Sequence, residues 1–170
     1  MARNLTADDA KQSLAAHVEA KGREIFSLYG PSLGWAGLQR LLQDRTQVRY
    51  PCEIVFDAGG LQAGEFAHPE PKGANPEDGF TMYVHPLFMT QLDQVPALVL
   101  YQLVALNYGV FASSDDAETF GAAALGLTRD EYYDRLCDIS DQLGGGETAP
   151  SDAGGGCGGG CGGGCGCGGH

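Results

Sequence analysis

Positive charge is scarce in this chain: ten Lys and Arg stand against 22 Asp and Glu over 170 residues, a formal charge of −12. A surface of that sign repels phosphate backbones and anionic lipid, so neither nucleic acid nor a membrane is an expected partner. Long apolar runs are also missing. The longest, Val95 to Leu106, is interrupted by Gln102 and spans about 18 Å as a helix, short of a ~30 Å hydrocarbon layer. It predicts a core helix. The first residues, Met1 to Ala10, carry no apolar stretch ahead of Asp8-Asp9, which predicts a protein without a secretory signal, working in the cytosol. No phosphate-loop signature, no dinucleotide glycine fingerprint after a strand and no Gly-x-Ser-x-Gly elbow occurs, so the motifs give no positive sign of an enzyme.

What is present divides into unequal parts. Twelve of the 27 glycines and four of the six cysteines lie in the last 17 residues, together with the terminal His170. Residues 1–143 read as one globular α+β domain, helix-rich with a small sheet; residues 144–156 as a flexible linker; residues 157–170 as a disordered Cys/Gly/His tail. The linker has no apolar side chain larger than alanine except Pro150, and its thirteen residues give a reach of about 20 Å.

Within the domain, Thr6 followed by Ala-Asp-Asp predicts an N-cap and a helix to Tyr29, ended by Gly30-Pro31. Ser32 is the expected cap of a second helix carrying Leu33, Trp35, Leu38, Leu41 and Leu42, the two forming a hairpin. Val48 to Phe56 is β-rich, and Pro51 places it at an edge or a strand start. Ala67 to Gly79, with three prolines, reads as a surface loop, and Phe80 to His85 as the next strand of a two- or three-stranded sheet. Val95 to Tyr108 is apolar on nearly every side and is the expected central helix. Ser114-Asp-Asp-Ala-Glu118 opens a helix that Gly126 stops, and Thr128 with Glu131 forms a capping box for a last helix through Leu143.

The tail carries the clearest chemistry. Cys157, Cys161, Cys165, Cys167 and His170 supply four thiols and an imidazole separated only by glycine, a donor set that suits a transition metal such as zinc or copper(I). Glycine permits the close chain approach that a wrap around an ion requires, but its ordering costs roughly 1–2 kcal/mol per fixed residue, which favours delivery or buffering over permanent storage. The spacing is not that of paired Cys-x-x-Cys motifs, so no one metal follows. A solvated low-complexity tail is one alternative. Another comes from a resemblance: cysteines embedded in polyglycine resemble the core peptides of thiazole-modified microcins, in which a partner enzyme cyclises Cys onto the preceding carbonyl, although those precursors carry short leaders in place of a domain. In the metal-handling reading the folded domain is expected to dock to a protein partner, and in the modified-tail reading it is expected to be a recognition module.

The segment Leu98 to Gly109, followed by Asp116-Ala-Glu118-Thr-Phe-Gly121, resembles the metal helix and downstream glutamate helix of zincin-type metallopeptidases. That resemblance aligns the His-Glu-x-x-His positions with Tyr101, Gln102 and Ala105, so only Glu118 keeps a usable ligand and the implied relative is degenerate. An unorthodox hydrolytic site would combine Glu118 with His68 or His85, and Glu65, His68 and His85 are candidates to converge. Cys52 and Cys137 read as small core hydrophobes, and of Tyr132 and Tyr133 the apolar rhythm assigns one to packing.

Overall fold

In the computed structural model, residues 6–144 are described. Helix α1 (Ala7–Tyr29) starts at a capping box in which Thr6 and Asp9 satisfy each other's backbone N–H groups, and it ends at Gly30, whose φ of 82° suits a residue without a Cβ. Helix α2 (Trp35–Gln43) begins three residues after Ser32, the expected cap; its N-cap is Gly34, with no side-chain bond. The reason lies in Leu33, which is drawn into the core at 7% exposure while Gly34 stays extended. Nor do α1 and α2 form the expected hairpin. A bond from Tyr29 Oη to Asp44 Oδ2 (3.0 Å) ties them, but α1 packs chiefly along α4 (Ser114–Leu125), where a Cβ on Gly22 would lie 2.6 Å from the Phe120 carbonyl oxygen.

The sheet has three strands: β1 (Cys52–Phe56), β2 (Ala67–Pro71) and β3 (Phe80–Val84), in the order β1-β3-β2. β1 runs parallel to β3, with Cys52 beside Phe80, and β2 runs antiparallel, with Ala67 beside Val84. Pro51 immediately precedes β1, an edge strand, as the sequence predicts. β2 corrects the reading of 67–79 as loop. Its two prolines are compatible with pairing because the bonds from His85 N to the Phe66 carbonyl and from Lys72 N to the Gly79 carbonyl set a register in which residues 68 and 70 face β3 while Pro69 and Pro71 turn their missing N–H groups away.

Helix α3 (Val95–Tyr108) is the centre of the core, with ten buried residues. Pro96 sits in its first turn, and Gly109 (φ 60°) follows its end. Asn107, 8% exposed, accepts from Arg49 N (2.9 Å) and donates to the Gln47 carbonyl (3.1 Å), fastening the chain ahead of β1 to α3. Ser113 and Asp116 cap α4 reciprocally, Gly126 closes it in the left-handed conformation, and Thr128 with Glu131 caps α5 (Arg129–Gly144). Tyr132 is the tyrosine that packs: fully buried, it donates from Oη to the Ala97 carbonyl (2.7 Å), while Tyr133 is 52% exposed. The domain is therefore α+β and helix-rich. Among the described residues no helix is long and apolar enough to cross a membrane.

Candidate functional site

The five expected metal ligands, Cys157, Cys161, Cys165, Cys167 and His170, lie outside the described residues, as do 145–156 of the linker. The two thiols of the domain differ from each other. Cys52 is buried on the inner face of β1, and burial pushes its thiol up to about 11, so it stays protonated at neutral pH. A protonated thiol is neither a metal ligand nor a nucleophile. Cys137 is exposed on α5, not in the core as its neighbours Tyr133 and Leu136 suggested. The misreading follows from phase: Tyr132, Leu136 and Ile139 form the buried stripe, and a residue one step beyond Leu136 is rotated by about 100° from it. Both cysteines are free.

Of the carboxylate and imidazole candidates, Glu65 and His68 lie side by side, while Glu118 and His85 are engaged elsewhere. Glu118 accepts from Arg129 Nε at 2.8 Å, and Arg129 also pairs with Asp115, so the glutamate fastens the start of α5 to α4. His85 Nδ1 accepts from Leu87 N (3.2 Å) and caps a short 3-10 turn, Pro86–Thr90. His68 lies 3.9 Å from the Glu65 carboxylate on the exposed side of β2. Among the described residues no group of three or more His, Cys, Asp and Glu is placed to hold a metal ion. The positions aligned with the zincin helix, Tyr101, Gln102 and Ala105, line a pocket of about 170 Å³ with Ser113 and Ala117, and Tyr101 packs edge-on against Phe66 at 6.1 Å.

Larger concavities lie elsewhere. One of about 640 Å³ is walled by Leu14, Arg49, Tyr50, Phe80 and Phe111, with Arg49 stacked over Tyr50 at 5.5 Å. A second, of about 340 Å³, runs between α2 and β1 and is lined by Trp35, Gln39, Leu42, Ile54 and Phe56; the Trp35 and Phe56 rings are 5.8 Å apart. Sequence reasoning missed this groove. The only signal was Pro51, which marked the strand as an edge without saying what lay beside it.

Comparison with family models, with curated proteins and with solved structures finds no match to the chain.

Proposed function

We propose that the chain is a non-catalytic metal-handling protein: the folded domain docks to a protein partner, and the C-terminal Cys/Gly/His segment binds a soft transition metal such as zinc or copper(I) and passes it on by thiolate exchange in a reducing cytosol. The observation that carries this reading is the density of donors, four thiols and an imidazole between Cys157 and His170. The state of Cys52 supports the division of labour, because a thiol pushed up to about 11 stays protonated at neutral pH and competes poorly for a metal.

Zinc and copper(I) binding, measured on the full chain in reducing buffer, is expected to reach at least one equivalent. It is expected to disappear in the full-length variant with Cys157, Cys161, Cys165 and Cys167 all changed to serine. Because thiolates must lose protons to bind, affinity falls as the pH is lowered. Equal stoichiometry in the two proteins would sink the reading.

A further inference from the structure

The two margins of the sheet differ in what their backbones offer. On β1, the Pro51 carbonyl accepts from Phe80 N (2.7 Å) and Asp57 N donates to the Val84 carbonyl (3.1 Å). In a parallel ladder this phase turns Glu53 and Val55 toward β3 and leaves the N–H and C=O groups of Cys52, Ile54 and Phe56 facing away from it. No described strand pairs with that side. β2 meets the same hazard with Pro69 and Pro71, so Ala67 is the single outward donor within that strand. β1 has no such guard. The groove beside it is floored by Trp35, Leu42 and Phe56 from α2 and the inner face of β1, with Gln39 at its wall.

We propose that this open margin of β1 accepts an extended segment of a partner protein in which apolar residues alternate with Lys or Arg. Strand addition supplies main-chain bonds to Cys52, Ile54 and Phe56, and successive side chains of the added strand fall on opposite faces. One set packs over Trp35 and Phe56. The other stands on the solvent face shared by Glu53, Val55 and Asp57. Glu53 is paired with Lys72 at 2.6 Å, yet 61% of its side chain remains exposed, and the whole chain carries −12; charge therefore favours cations on that outer set. The same charge disfavours a second copy, whose own β1 would bring another Glu53 and another −12 alongside. Residues 145–170 provide no large apolar side chain to fill the groove.

This inference names the partner chemistry for the docking half of the function proposed above and rests on that half alone. The test is run on the full chain without metal, so its failure leaves the metal-binding result standing, and the reverse also holds. The probe is the peptide acetyl-Arg-Val-Arg-Val-Arg-Val-amide, followed through Trp35, the one tryptophan in the chain. A saturable change in Trp35 fluorescence is expected, with slowed amide exchange at Cys52, Ile54 and Phe56 and none at β2. Methylating alternate peptide nitrogens along the pairing edge removes main-chain bonds without touching the protein. It is expected to weaken binding about tenfold or more. Replacing Arg by Glu in the peptide is expected to weaken it comparably. Equal binding by the methylated peptide overturns strand addition, and equal binding by the Glu peptide overturns the basic partner. Protection of the three amides before any peptide is added overturns the external occupant in favour of the chain itself or a second copy.

Discussion

Where α1 and α5 meet α4, the helices approach so closely that Gly22 and Gly121 admit no methyl group, whereas along β1 three backbone N–H and C=O pairs look into a groove with no described strand beside them. The helical side is finished. Two of its buried polar side chains are answered internally, Tyr132 by Ala97 and Asn107 by residues 47 and 49. The sheet side is finished at one margin only, the one with prolines. Unguarded strand edges favour pairing with another chain, and it is on this contrast between a closed helical side and an open strand edge that the proposed docking at β1 rests.

The largest effect is expected on the closed side. A Cβ at Gly121 would lie 2.1 Å from Tyr132 Cζ, and Tyr132 cannot retreat without losing its bond to Ala97. Gly121→Ala is therefore expected to cost about 3 kcal/mol, read as a lowered urea midpoint with unchanged slope. A cost under about 0.5 kcal/mol would show that the helical seam yields more readily than its geometry implies.

A somewhat smaller effect concerns the seam between the two sides, where Cys52 sits under α2. Its folded value of about 11 lies above the ordinary thiol value of 9.0. Below about pH 9 the thiol is protonated in both states and adds nothing to the pH slope. Above it the unfolded chain ionises first, so stability declines as the pH rises, by about 2 kcal/mol at pH 11. Cys52→Ala is expected to flatten that part of the wild-type profile, and parallel profiles for the two proteins would mean that the thiol is not shielded as described.

The smallest change in stability sharpens the contrast between the margins. Changing Pro69 and Pro71 to alanine restores two outward donors to β2 at a cost of about 1 kcal/mol or less, mostly through the unfolded chain. The edge-pairing peptide is then expected to protect amides on β2 as well as β1. If β2 stays indifferent to it, proline is not what distinguishes the two edges.

Local chemistry in the sequence set much of this fold. The capping boxes at Thr6 and Thr128, the stops at Gly30, Gly109 and Gly126, and the apolar run of α3 all stand where short-range hydrogen bonding and steric rules put them. Such features depend on residues within four positions of one another, which a sequence displays directly. The proposed donor set between Cys157 and His170 was likewise read from short spacings alone, and it lies outside the described residues. Tertiary structure decided the rest. Pro69 and Pro71 read as loop until pairing with β3 fixed which side their nitrogens face; Cys137 read as core until the buried stripe of α5 was phased; α1 took α4 as its neighbour through Gly22 instead of the helix next in sequence. Each of these turns on what lies across a gap from the residue, and a linear order of side chains carries no record of that neighbour.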